Sequence, residues 1–201
     1  MASITDICNM AISHLGISKD IANVSTEQSA EAKACRRFLD IARETVLKDY
    51  NWPFATKMAT LNLVEEDPND EWAYSYRYPS DCLYARRILS GFRDDTDLTR
   101  IPYKITQDST GILIYCDTEN AILEYTLNTE NVDLFSSDFK VALSYRLAHY
   151  IAPRITAGDP FGLGDKALQK YVLEIQRASA NAFNEDKSSL PLTTDSISAR
   201  D

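Results

Sequence analysis

The chain has 201 residues, of which 44% are hydrophobic and 25% are charged. A chain of this length buries about 70% of the surface that it exposes when unfolded, which predicts one globular unit. The formal charge of −9 argues against a protein that grips duplex DNA or lies on an anionic membrane surface, because both interactions need cations. No window approaches the roughly 18 to 20 consecutive apolar residues of a spanning helix, and the first ten residues lack the regions of an export signal, so we expect a cytosolic protein without a membrane partner.

Helical periodicity marks the beginning of the chain. Apolar residues recur at three- and four-residue steps over residues 4–15, which predicts a first helix that ends at Gly16. Ser25–Gln28 has the pattern of a capping box, so a second helix is predicted from Ser25 to about Tyr50. Pro53 ends it, because proline has no amide hydrogen for a continuing helix.

The middle of the chain changes to the period of strands. Short β-branched or aromatic runs, divided by polar turns, predict a small antiparallel sheet. Asp108–Gly111 is the best hairpin turn, and residues 91–97 are predicted to form a longer exposed loop. The runs cover residues 60–65, 83–92, 101–106, 112–115 and 122–127.

Helical spacing returns after Asn131. A third helix is predicted to begin at Ser136 or Ser137 and to be kinked or divided by Pro153, and a fourth spans roughly residues 163–184. The predicted fold is α+β: terminal helices packed as a helical bundle, with a small antiparallel β-sheet region inserted between them. The divisions are residues 1–58 for the N-terminal helices, 59–130 for the β-rich region, 131–186 for the C-terminal helices and 187–201 for an extended tail.

Residues that carry catalytic chemistry are sparse. His14 and His149 lack a metal-binding or His-Asp companion at a suitable spacing, so both are interpreted as helix-surface or interface residues. Cys82 has no adjacent cation except Arg86 and Arg87 further along the strand, and it is interpreted as a partly buried strand cysteine. The four cysteines are scattered and are predicted to be reduced thiols, and neither a metal nor a cofactor is expected.

Two loops have compositions that resemble those of binding sites. The acidic segment 65–71 is rich in oxygen ligands but lacks the spacing of a calcium loop, so a solvated turn is favoured. The glycine-rich segment 158–164 lacks the lysine of a phosphate-binding loop and is interpreted as a connection between two helices.

Aromatic residues give the densest pattern in the chain. Trp72, Tyr74, Tyr76 and Tyr78 alternate as one face of an extended strand requires. Such a row is either a sheet face packed on helices or an intersubunit face, and the remaining alternative is a platform that stacks on bases or sugars.

Several motifs, taken in chain order, resemble the podovirus tail tubular protein A family, the head-to-tail adaptors of short-tailed phages. They are N-M-A-I-S-H-L-G at residues 9–16, A-x-x-C-R-R-F-L-D-x-A-R-E-x-V-L-K-D-Y-N-W-P-F-A at 32–55, A-T-L-N-L at 59–63, Y-R-Y-P-S-D-C-L at 76–83, D-L-F-S-S-D-F at 133–139 and A-L-S-Y-R-L-A at 142–148. The resemblance covers residues 4 to about 185, whereas the sequence after about residue 187 matches no part of that pattern.

This resemblance implies a structural protein and not an enzyme. Members of the family form a ring, typically dodecameric, that docks beneath the portal protein of the filled capsid and receives the tail tube or nozzle protein below. The resemblance therefore implies a virion protein of the head-tail junction, assembled in the host cytoplasm, with genomic DNA passing through its lumen without sequence-specific binding. An acidic subunit is compatible with that passage, because a cationic wall would retain DNA.

Two alternatives come from other functional classes. One is a cytosolic α+β scaffold or binding module, and the other is a cell-wall glycan hydrolase that uses paired carboxylates such as Glu65 and Asp70. For the adaptor hypothesis, the candidate interface residues fall into three groups. They are the arginines on a face of the second helix that a single small domain need not cover, the aromatic row and the apolar residues of the tail. They are Arg36, Arg37, Trp72, Tyr74, Tyr76, Tyr78, Leu190, Leu192 and Ile197.

Overall fold

The computed structural model describes residues 3–92 and 99–185. Four helices and seven strands follow one another along these residues, and the α+β class is confirmed. The elements are α1 (Ile4–His14), α2 (Ala30–Asp49), β1 (Thr56–Thr60), β2 (Asn62–Asn69), β3 (Trp72–Arg77), β4 (Cys82–Ile88), β5 (Lys104–Gln107), β6 (Ile112–Cys116), β7 (Ile122–Leu127), α3 (Ser137–Ile155) and α4 (Leu163–Glu185).

The four helices share one hydrophobic core. It is built from the inward residues of all four, including Ile7, Val46, Leu147 and Tyr171. An aromatic cluster closes the core where α2 ends: the rings of Trp52 and Phe139 meet edge to face with centroids 5.1 Å apart. The packing of the helices as a regular bundle stays a prediction.

The beginning of α2 differs from the prediction. The helix starts at Ala30, where the Ser29 hydroxyl accepts a hydrogen bond from the amide of Ala32 at 3.3 Å, and the capping box expected at Ser25–Gln28 is wrong. Asn23 and Glu27 satisfy the backbone there instead, because Asn23 accepts from the amide of Ser25 and Glu27 accepts from the amide of Ala22. A capping box occurs at α1, between Ser3 and Asp6.

The strands form two antiparallel sheets, so the expectation of a single sheet is corrected. One has the order β1-β7-β4 and the other the order β2-β3-β6-β5. Only Leu61 separates β1 from β2, yet β1 pairs with β7 while β2 pairs with β3, so the chain changes sheet at this residue. The two sheets bury a common core that includes Tyr76, Ile114, Leu123 and Tyr125.

The hairpin turn at Asp108–Gly111 is confirmed, since it joins β5 to β6 and the amide of Asp108 donates to the carbonyl of Gly111 at 2.9 Å. The acidic segment 65–71 is not wholly a turn, because its first five residues belong to β2. The loop expected at residues 91–97 lies mostly outside the described residues.

The connections around α3 follow the prediction closely. Ser136 caps α3 by accepting from the amide of Phe139 at 3.2 Å, and α3 continues through Pro153 for two residues before it ends. Segment 158–164 joins α3 to α4. The beginning of α4 approaches α3 closely at Gly164. A Cβ at this position would lie 3.0 Å from the Cβ of Ala152, so only glycine fits without a shift.

Arg86 of β4 links the helical core to the sheets. Its guanidinium donates to the carbonyls of Leu47, Lys48 and Tyr50 at 2.9–3.1 Å and to the hydroxyl of Thr126 at 2.8 Å. These carbonyls are at the end of α2, where helical partners are missing. One side chain thus satisfies the end of α2 and fixes it against β4 and β7.

Candidate interaction surfaces

His14 contacts a serine, but in an arrangement that does not suit nucleophilic catalysis. Its Nε2 lies 3.0 Å from Oγ of Ser144, and Ser144 Oγ is 2.7 Å from the carbonyl of Val141. Because the single hydroxyl hydrogen is donated to that carbonyl, Nε2 must donate to Ser144, whereas a general base accepts from its nucleophile. Ser144 is also fully buried, and burial lowers the pKa of His14. The pair therefore joins α1 to α3.

The other two candidate catalytic residues, His149 and Cys82, also have structural environments. His149 Nδ1 lies 3.0 Å from the carbonyl of Gly164, which makes it a donor between α3 and α4. Cys82 is half-buried, and burial raises the pKa of its thiol, so the reactive thiolate is disfavoured at neutral pH.

The carboxylates of the hydrolase alternative belong to different parts of one hairpin. Glu65 lies within β2 and Asp70 in the turn that follows it. Within residues 3–92 and 99–185, no group of three or more histidine, cysteine or acidic side chains is placed to hold a metal ion.

The aromatic row divides into a buried part and an accessible part. Tyr76 is 1% exposed and its hydroxyl donates to the carbonyl of Thr118 at 2.8 Å, so it belongs to the core between the sheets. Tyr78 is half-buried against the same core. Tyr74 is partly buried against this core as well, and Trp72, the first residue of β3, is partly buried and borders an acidic cleft of about 400 Å³ with Asp70. The interface prediction therefore concentrates on Trp72.

The two arginines predicted for an interface differ in role. Arg36 donates to the carbonyls of Val24 and Glu27, and so holds the segment before α2 in place. Arg37 is exposed and its guanidinium lies 5.9 Å from the centre of the Phe38 ring. Arg37 remains a candidate contact residue, whereas Arg36 is largely occupied within the chain. Leu190, Leu192 and Ile197 lie outside the described residues.

Three apolar surfaces were missed by the sequence reasoning. Phe161, in the turn between α3 and α4, is 76% exposed, and Val172 and Leu173 are exposed on the outer side of α4. On the sheet formed by β1, β7 and β4, Met58 and Ile122 are exposed on the same outer face. The sequence signal for Phe161 was a Pro-Phe pair between two glycines, but the segment was interpreted only as a connection between two helices.

Two concave sites lie on the helical layer. A groove of about 320 Å³ runs beside Trp52 and Phe54, between the N-terminus of α3 and the later part of α4. A pocket of about 130 Å³ lies between the beginning of α1, the middle of α2 and the segment before α3; it is lined by Ile4, Ile7, Leu39, Asp40, Arg43, Glu130, Val132, Phe135 and Leu143.

No protein-family model matches this chain, and no curated protein matches its sequence. Among the described residues, none of the helices combines the length and the apolar character that crossing a membrane requires.

Proposed function

We propose that the chain is a structural subunit of the head-to-tail adaptor of a short-tailed bacteriophage. In this proposal it assembles with copies of itself into a ring, typically of twelve, beneath the portal protein. The ring joins the capsid to the tail tube or nozzle protein and lets the genome pass, and the chain has no catalytic role.

The observation that carries the proposal is the presence of apolar surface on two separate layers. Val172 and Leu173 lie on the outer side of α4, while Met58 and Ile122 lie on the outer face of a sheet. Exposed apolar side chains that cluster on a surface are typical of contact sites. A subunit within a closed ring needs two different contact surfaces, one for each neighbour, and this chain offers apolar residues on both layers.

The placement of the resembling motifs also supports a structural role. Trp52 and Phe54 come from the motif at residues 32–55, and Phe135 and Phe139 come from the motif at 133–139. These four rings form one cluster with centroid distances of 4.5–6.1 Å. Two segments about 80 residues apart thus resemble the family at positions that pack together in the helical core.

Electron microscopy of the purified chain, alone and mixed with a portal ring, tests the proposal. We expect rings with a central lumen, coaxial with the portal when it is present, and assembly that depends on the portal is compatible with the proposal. Particles that remain single subunits under both conditions would favour the scaffold or binding-module alternative.

A further inference from the structure

We propose that Phe161 of one subunit inserts into the 130 Å³ pocket of a second copy of this chain. This inference rests on the proposed ring and names the contact that would hold neighbouring subunits together.

Phe161 is presented by a turn that is fixed on both sides. The amide of Gly162 donates to the carbonyl of Asp159 at 3.1 Å, which closes the turn around Phe161. The Asp159 carboxylate accepts from the amides of Leu163 and Gly164 at 2.7 and 2.8 Å, which ties the turn to α4. A phenyl ring that is 76% exposed on a fixed turn binds with little loss of conformational entropy.

The pocket has the size and lining that a phenyl ring requires. Its volume is about 130 Å³, and its apolar lining includes Ile7, Leu39, Val132 and Phe135. A protein cavity of about 150 Å³ lined by leucine, isoleucine and phenylalanine binds benzene. The side chain of Phe161 ends in the same six-membered aromatic ring as benzene.

The exposed charges on the two surfaces differ in net sign. Asp40 and Glu130, at the pocket, have side chains that are 72% and 77% exposed, and both pair with Arg43, whose side chain is 9% exposed, so the pocket keeps a net negative charge. Arg154 and Lys166, on either side of the Phe161 turn in the sequence, are exposed and outnumber the exposed Asp165. Opposite charges around an apolar contact speed association and fix its register. This complementarity favours a second copy over an unrelated partner.

The contact cannot form within one subunit. The pocket lies beside the first part of α3, with Leu143 in its wall, and the Phe161 turn follows the end of α3 at Ile155. Twelve helical residues separate these positions by about 18 Å. Since the turn and the pocket are different surfaces, each subunit can give its Phe161 to one neighbour and receive that of the other, which is the arrangement of a ring.

Cysteine cross-linking detects the contact even if it is weak. The chain carries Pro160→Cys, next to Phe161, with Asp40→Cys, at the pocket, in a Cys82→Ser background, since the other three cysteines are buried and Phe161 and Leu39 stay in place. Oxidation is expected to give a ladder of dimers, trimers and larger species on a non-reducing gel, because a disulfide needs Cα atoms within about 7 Å. The matched control replaces Pro160→Cys with Phe92→Cys, at a phenylalanine that is 70% exposed in another loop, and is expected to give no ladder.

Substitutions then measure the importance of the contact for assembly. Phe161→Ala and the pocket-filling Leu39→Trp are each expected to weaken self-association about tenfold or more, measured by analytical ultracentrifugation, while Phe92→Ala leaves it unchanged. Lys166→Glu is expected to weaken association and Asp40→Lys to restore it in the double variant. The free energy of unfolding, measured in parallel, is expected to stay constant for Phe161→Ala.

The outcomes separate this inference from the proposed ring. Two results together would overturn the inference and leave the ring proposal intact: normal ring formation by Phe161→Ala, and no cross-link in the double-cysteine variant. Cross-linking that stops at the dimer would support the contact between Phe161 and the pocket and contradict the ring. Absence of both cross-links and rings, in the presence of the portal, would contradict both.

Discussion

Arg86 attaches the sheets to the end of α2. It satisfies three carbonyls at the end of α2 and one hydroxyl on β7. Arg86→Ala is expected to lower the free energy of unfolding by about 2–4 kcal/mol, because the bonds involve a charged donor and the carbonyls lose their partner. Urea denaturation followed by circular dichroism measures the loss.

Arg86→Lys is the matched control. Lysine keeps the charge but lacks the planar fork that reaches several acceptors at once, so its loss is expected to be intermediate. A change of less than about 0.5 kcal/mol for Arg86→Ala would contradict the assigned role.

Asp108 makes the sheet region sensitive to acid. Arg77 binds it through two bonds of 3.0 and 3.1 Å, and the hydroxyl and amide of Thr110 and the amide of Gly111 also donate to it. These donors, Arg77 above all, hold the pKa of the carboxyl well below its usual range. Because the folded-state pKa is lowered, this contribution to stability is present above the unfolded value of about 3.9 and is lost as the pH falls below it.

Asp108→Asn is therefore expected to flatten the fall in stability below about pH 4. Stability measured by urea denaturation between pH 2.5 and 7 tests this expectation. Equal slopes for the variant and the unmodified chain in the acidic part of that range would show that Asp108 does not contribute to acid sensitivity.

At the level of elements, Asp159 determines where α4 begins. Its carboxylate accepts from two amides of the first turn, and its own backbone has φ of 56°, in the left-handed region. Asp159→Ala is expected to cost about 1–3 kcal/mol, because it removes the cap and places alanine in a conformation that alanine disfavours.

Asn at the same position tolerates the left-handed conformation and can still accept a hydrogen bond. We expect Asp159→Asn to lose at most about half as much stability as Asp159→Ala, as measured by thermal and urea unfolding. Similar losses for both variants would mean that neither the cap nor the backbone conformation explains the role of this residue.

The sequence predicts elements better than the way they pair. The four helices follow from apolar residues at helical spacing, which is a local property. The start of α2 was misplaced because Asn23, and not Gln28, accepts from the amide of Ser25, while Glu27 accepts from the amide of Ala22. The division into two sheets could not be predicted, since it depends on the pairing of β1 with β7, which are distant in sequence.

The candidate site was predicted less well than the fold. An alternating aromatic row shows which residues share a face, but not that Tyr76 lies in the core while Trp72 borders a cleft. Likewise, the pocket combines residues from α1, α2 and the segment before α3, and only tertiary packing brings them together.

For the whole molecule, net charge determines how the proposed ring would interact with DNA. Each chain carries a net charge of −9, which repels phosphates within about one Debye length, roughly 8 Å at physiological salt. We expect no salt-sensitive binding of duplex DNA in a fluorescence anisotropy titration of the purified protein. Tight binding that falls steeply as salt rises would instead reveal a local basic surface.

The mass of the assembled protein tests the central claim most directly. Twelve chains of 22.7 kDa weigh about 270 kDa, and native mass spectrometry of the protein, alone or mixed with a phage portal ring, resolves the number of chains. The ring proposal predicts one closed species of defined high stoichiometry, typically twelve copies. A monomer or dimer at every concentration and in the presence of the portal would contradict it.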